Sequence, residues 1–182
     1  MHVRWSRYRL ANIPSLQCVA NPDQGQLIRP DTLSAFAFTD FCGVGGSDSD
    51  NGIFRLDLSR ATRKGLRFSQ ITGGLSNCLI FGERPPSDLD EGFGPWIGGQ
   101  MTFSASTYIN GTPINFLASL LNTCGGRTDL GFQNGERGSR CDWTHHWSFH
   151  PGGANFAKAD GALTFLAYPI DKQILSELAS RD

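Results

Sequence analysis

Apolar and polar residues alternate along several short stretches of this 182-residue chain, and a period of two marks strands with one buried face. LSAFAFTDFCGVG (33–45) alternates and ends in glycines, SDSDNG follows as a turn cluster, and GIFRLDL (52–58) resumes the alternation. The three together predict a hairpin. LRFSQIT (66–72), CLIFG (78–82) and QMTFSASTYIN (100–110) predict further strands. ANFAKADGALTFLAY (154–168) carries the strongest local signal, two alternating runs joined at Asp160-Gly161, a dipeptide suited to a hairpin turn.

Two segments change to a helical period. TPINFLASLLNTCGG (112–126) offers Thr112 as cap, Pro113 in the first turn and Gly125 as stop, and PIDKQILSELASRD (169–182) offers Asp171 as cap. Between the ordered stretches lie a Pro/Gly/acidic loop from Pro85 to Gly99 and a long Gly-rich loop reaching Trp147. Residues 1–30, punctuated by Pro14, Pro22 and Pro30, form an irregular N-terminal segment, and residues 31–182 form a single globular domain. The predicted class is α+β: antiparallel β-sheet-rich, with a few short helices and no β-α alternation.

Composition sharpens this in two respects. Glycine is abundant at 22 residues and phenylalanine contributes 13 against two methionines, which suits strands and tight turns better than a helical bundle. Sixteen basic residues balance seventeen acidic ones, so neither a nucleic acid nor an anionic membrane is an expected partner. No apolar run approaches the ~20 residues of a membrane span, and MHVRWSRYRL lacks the apolar centre of an export signal.

The five cysteines make no C-x-x-C pair, which argues against a structural zinc knuckle. Cys124 and Cys141 bracket a Gly-rich loop that a disulfide would close in an oxidising compartment; five free thiols is the other reading.

Candidate chemistry gathers late in the chain. His145, His146 and His150 fall within DWTHHWSFHPGG. Imidazoles so close together form a candidate divalent-metal set, although Pro151 and its glycines break the helix that would put His146 and His150 on one face. Surface or stacking histidines are the plainer alternative. Beyond such a metal, no cofactor is expected. SDSDNG fails as an EF-hand, because its glycine comes one residue early and Ser59 stands where a bidentate Glu is required.

Glu83 and Arg84 end a predicted strand in GERPP, where an exposed ion-pair-forming couple is the ordinary expectation. Were the fold to bring Glu83, His150 and Asp160 together, they would supply acid/base groups for a small hydrolase of glycosides or esters. No G-x-S-x-G, P-loop or H-E-x-x-H occurs, which argues against the standard serine hydrolases, P-loop nucleotidases and zincins. Trp96, Trp143 and Trp147 sit in predicted loops. With Arg84 they form a candidate binding surface, carbohydrate being the natural ligand for stacked indoles; capping the core is the competing role.

SFHPGGANFAKADGALTFLAYPID contains His150, nine intervening residues, then Asp160-Gly161. It resembles the C-terminal signature of the prepilin-type H-X9-DG family. FSQITGGLSNCLIFGERPP and TDFCGVGGSDSDNGIF resemble two further stretches of that family, in the same order, and the closing ILSELASRD resembles its final helix. The likeness covers residues ~33–182. Gly73 and Cys78 stand where the family usually has Asp and Thr, and the family's long apolar N-terminal helix has no counterpart. The histidine pair at 145–146 is not part of that signature.

The resemblance implies a pilin-like fold, an extracytoplasmic location in the cell envelope, and envelope or pilus-like proteins, or further copies of the chain, as partners. The leading expectation is therefore a non-enzymatic structural or interaction module. In it, His150 bonds backbone near the Asp160 turn and pins the last hairpin. The hydrolase and a carbohydrate-binding module remain the alternatives.

Overall fold

A computed structural model describes residues 10–27, 35–47, 51–54, 66–86, 131–139, 141–142 and 145–182, together with the backbone of 106–107. Within them β1 (Phe41–Val44), β2 (Leu79–Glu83), β3 (Ser106–Thr107), β4 (Gly153–Lys158) and β5 (Leu163–Ala167) form one sheet in the order β3-β1-β2-β4-β5. Neighbours β1/β2, β2/β4 and β4/β5 are antiparallel, and only the two-residue β3 runs parallel, at the edge beside β1. Helix α1 (Lys172–Ala179) closes the chain.

The β4–β5 hairpin follows the alternation of its sequence. Asn155 pairs with Phe165 and Ala157 with Leu163 on one face, while Ala154 pairs with Leu166 and Phe156 with Thr164 on the other. At the turn the Gly161 N–H donates to the Lys158 carbonyl, and Gly161 alone takes a positive φ, +89°. That is the three-residue loop with glycine in the left-handed position, not a two-residue turn, which would need Asp160 there as well. The Asp160 carboxylate accepts the Ala162 N–H at 2.9 Å.

Strand β2 reaches its neighbours through an irregularity between Leu79 and Phe81. The added residue lets both Leu79 and Gly82 face inward, so Phe81 and Glu83 share the opposite face. The inner face carries the core: Val44, Leu79, Phe132, Ala154, Phe156, Leu166, Leu175 and Ala179. The valine, leucine and phenylalanine side chains among them contribute about 1.5–3 kcal/mol each on burial. Phe132 seats edge-on to Phe156, ring centres 5.4 Å apart, and tilts against Tyr168 at 4.9 Å.

Helix α1 is fixed as expected. The Asp171 carboxylate accepts from the backbone N–H groups of Gln173 (2.8 Å) and Ile174 (3.3 Å), and Leu175 and Ala179 face the sheet. After the helix, Arg181 reaches back to the Asn51 carbonyl through its N–H and to the Gly52 carbonyl through its guanidinium, both at 2.9 Å.

Other expectations are corrected. LRFSQIT is no strand: Phe68–Gln70 is a 3-10 turn, closed by mutual bonds of Arg67 and Gln70. Gly52 to Phe54, expected to open the returning strand of the first hairpin, form bends. Strand β1 itself pairs with β2 and β3, and residues 55–58 of the expected returning strand lie outside the described residues. The helix expected over 112–126 lies outside the described residues. Among those described, no helix is long and apolar enough to cross a membrane.

One close approach tests this arrangement. A Cβ on Gly82 would lie 2.3 Å from the Phe156 ring and 2.8 Å from the His146 imidazole, whereas one on Gly152 would meet nothing but sits at φ +81°. Gly82→Ala should cost about 1–3 kcal/mol by overpacking, against about 1 kcal/mol for Gly152→Ala from backbone strain alone. Urea denaturation of both variants checks the order.

Candidate functional site

The sequence-predicted residues divide into separate neighbourhoods around the end of β2. Glu83, its last residue, is 1% exposed, and Arg84 beside it is also buried. The exposed strand-end couple expected from GERPP is therefore corrected, because a further layer of chain covers this corner. Part of that layer is the N-terminal segment. Thr39 and Asp40 both bond the Leu16 carbonyl, and the Asp40 carbonyl accepts the Arg84 N–H at 2.6 Å. Arg137 forms an ion pair with the buried Asp23.

Every oxygen of Glu83 is engaged. Oε2 accepts from the Asn155 backbone N–H (2.6 Å) and from its side-chain amide (3.2 Å), and Oε1 lies 3.3 Å from His150 Nε2. The backbone carbonyl accepts the Trp147 N–H at 3.1 Å and the His146 ring at 3.3 Å through Nδ1. A buried carboxylate is tolerable only with such satisfaction. The expected pairing of His150 with backbone near the Asp160 turn is corrected: His150 and Asp160 stand at opposite ends of β4, and His150 turns toward Glu83 and Cys18. Its Nε2 is also 3.2 Å from Cys18 Sγ.

The three late histidines take three different partners. His145 is fully buried, with Nδ1 on the His146 carbonyl (3.0 Å) and Nε2 on the Asp142 carboxylate (2.9 Å). Both ring nitrogens are thus taken up inside the protein. Burial pushes the Asp142 carboxyl upward, but the hydrogen bonds from His145 and the Glu136 N–H outweigh it and hold the group below its ordinary range. His146, also fully buried, lies against Cys42 Sγ (3.7 Å) and the Phe156 ring. These two are interior residues, neither surface groups nor co-ligands of His150. Among the described residues, the donors grouped closely enough to hold an ion with His150 are Cys18 and Glu83.

Trp147 is 1% exposed and packs on Phe149 and over Gly135, so it belongs to the interior and offers no face to a sugar. Trp96 and Trp143 lie outside the described residues. Cys141 is disulfide-bonded while Cys18, Cys42 and Cys78 are free, which removes the reading with five free thiols. Its expected partner, Cys124, lies outside the described residues.

Two participants escaped the sequence reading. Cys18 belongs to no motif, and Asp40 hides inside an alternating run. The Asp40 carboxylate is fully buried and accepts the Cys18 N–H and, at 2.6 Å, the Asn21 side-chain amide. Burial pushes the Cys18 thiol up to about 11, with the Glu83 and Asp40 carboxylates adding to the rise against a bond from the Ala20 N–H. At neutral pH it is a thiol, a poor nucleophile. The ring geometry agrees, since Nε2 alone faces both Cys18 and Glu83. A nucleophile-base-carboxylate relay would place those partners on opposite ring nitrogens.

Burial likewise raises Asp40 from 3.8 to about 6, with Glu83 adding to the rise against the two hydrogen bonds. A carboxyl whose folded pKa exceeds its unfolded value holds its proton in the native state longer, so stability falls as pH rises from about 4 to about 6 and then levels. The full difference is on the order of 3 kcal/mol. Asp40→Asn should flatten that slope, as urea denaturation across the window in metal-free buffer would read.

A family model described as "Protein of unknown function (DUF1559)" matches residues 13–173. No curated protein and no solved structure matches the chain.

Proposed function

Since the chain belongs to the DUF1559 family of proteins of unknown function, we propose that it is the head domain of a pilin-like envelope protein, a non-enzymatic module that works by contact with other proteins. The observation that carries this reading is the outer face of the sheet. Register and alternation put Phe81, Ala157, Leu163 and Phe165 on one side, and Leu163 is 80%, Phe165 50% and Phe81 41% exposed. Phe54 extends the patch, its ring centre 4.9 Å from that of Phe81. A contiguous apolar face on a sheet is the ordinary sign of a protein-binding surface.

The candidate acid/base groups support the same reading by what they are used for. Glu83 joins strands and loops, and Asp160 closes a hairpin turn roughly 20 Å of strand away from His150, at about 3.3 Å per residue. The H-x9-DG and GER stretches are thereby accounted for as architecture. The disulfide at Cys141 supports an extracytoplasmic location, where thiols are oxidised. The family resemblance supplies the pilin-like part of the proposal.

Purified protein should turn over no chromogenic glycoside or ester. Glu83→Gln should lower stability by about 2–4 kcal/mol, since it disturbs a buried charged network, and Asp160→Asn by less than about 1 kcal/mol at its exposed turn. Turnover by the wild type that either substitution abolishes would replace this reading with the hydrolase.

A further inference from the structure

Three side chains of three chemical kinds, from segments far apart in the chain, meet at one point beside the end of β2. Cys18 Sγ lies 3.2 Å from His150 Nε2, and His150 Nε2 lies 3.3 Å from Glu83 Oε1. All three donor atoms fall within 4.8 Å of one another. We propose that Cys18, Glu83 and His150 form a mononuclear site for a divalent transition-metal ion of the zinc class, with a fourth position open to water or an exchangeable ligand. This inference does not depend on the head-domain reading, because a metal would clip the N-terminal segment to the sheet whatever the outer face binds.

The distances carry the geometry. Bonds of about 2.0–2.3 Å to sulfur, nitrogen and oxygen at tetrahedral angles separate neighbouring ligand atoms by roughly 3.3–3.8 Å. Two of the three separations, 3.2 and 3.3 Å, lie at or just below the short end of that range, so His150 need only draw slightly away from its two neighbours to admit an ion. A mixed thiolate, imidazole and carboxylate set is a zinc-type set, too soft for calcium or magnesium. Three protein ligands leave zinc one coordination position, and the partly exposed His150, with 28% of its side chain reaching solvent, opens that side to exchange.

Outer contacts already hold the ligands in place. Asn155 occupies Glu83 Oε2 from two donors and leaves Oε1 to face the other two atoms. Asp40 accepts the Cys18 N–H, and the Ser148 hydroxyl accepts the His150 N–H at 3.0 Å while donating to the Gly153 carbonyl at 2.7 Å. Supporting bonds of this kind orient metal ligands.

The test uses the whole chain with its disulfide intact, freed of metal by chelator and titrated with cobalt(II), then zinc. Wild-type protein should bind one equivalent of cobalt with a thiolate-to-cobalt charge-transfer band in the near ultraviolet, lose the band as zinc displaces cobalt, and melt at a higher temperature with zinc. Cys18→Ser, nearly isosteric, should remove the band, and His150→Ala or His150→Gln should weaken zinc binding at least ~10-fold. Cys42→Ser should keep the band. Circular dichroism confirms that each variant compared is folded. Folded wild type showing neither band nor thermal shift at stoichiometric metal would overturn the proposal. So would a band that survives Cys18→Ser, or zinc affinity unchanged in both His150 variants.

Discussion

A buried carboxylate organises the described part of this protein. Glu83 ends the strand that joins the two halves of the sheet, and it is closed to solvent. Taking such a group out of water costs several kcal/mol unless hydrogen bonds replace its hydration. Here the replacements come from separate parts of the chain. Asn155 on β4 supplies two donors to one carboxylate oxygen and His150, from the loop before β4, faces the other, while the Glu83 backbone carbonyl accepts the Trp147 N–H and the His146 ring. Each partner must be correctly placed for Glu83 to be buried at all, so one residue sets the positions of several segments. The Cys18 loop is then fixed twice, by Asp40 through its backbone and by His150 through its sulfur.

This constraint explains the spacing of the last signature. His150 must stand at the Glu83 end of β4, and Asp160-Gly161 must stand at the far end, where the chain reverses. Between them lie the Pro151-Gly152 turn, six residues of strand from Gly153 to Lys158, and Ala159. Nine intervening residues thus measure the strand that spans the sheet between the buried carboxylate and the turn. The histidine and the Asp-Gly pair do different work at opposite edges. A stretch that reads as a catalytic pair in one dimension is a ruler in three.

What the sequence made legible was local. The β4–β5 hairpin, the Asp171 cap and the strand in CLIFG depend on period and on neighbouring turn residues, and all three stand in the structure. LRFSQIT has the same period but takes a 3-10 turn over Phe68–Gln70, where Gln70 and Arg67 bond each other locally. The site was only partly legible. Glu83 and His150 stood out as chemistry, but their meeting, and the place of Cys18 beside them, rest on contacts across 67 and 132 residues that no local pattern records. The histidine pair misled for the same reason. His145 and His146 look like surface groups among polar neighbours, and only the fold supplies the acceptors, Asp142 and the Glu83 carbonyl, that make their burial tolerable.

Cys18 also bears on the redox chemistry of the fold. Cys141 is disulfide-bonded, yet three other cysteines stay reduced. Cys42 and Cys78 are shielded by burial, at 3% and 1% exposure. Cys18, at 9%, is closest to solvent and depends on a second protection. Burial, with two neighbouring carboxylates adding to it, pushes its thiol up to about 11, so without a bound metal it stands as the thiol at neutral pH, whereas disulfide exchange requires the thiolate. The carboxylates that would make Cys18 a poor nucleophile therefore also keep it from being lost to oxidation. An electrostatic environment hostile to cysteine catalysis preserves the sulfur at this corner of the fold.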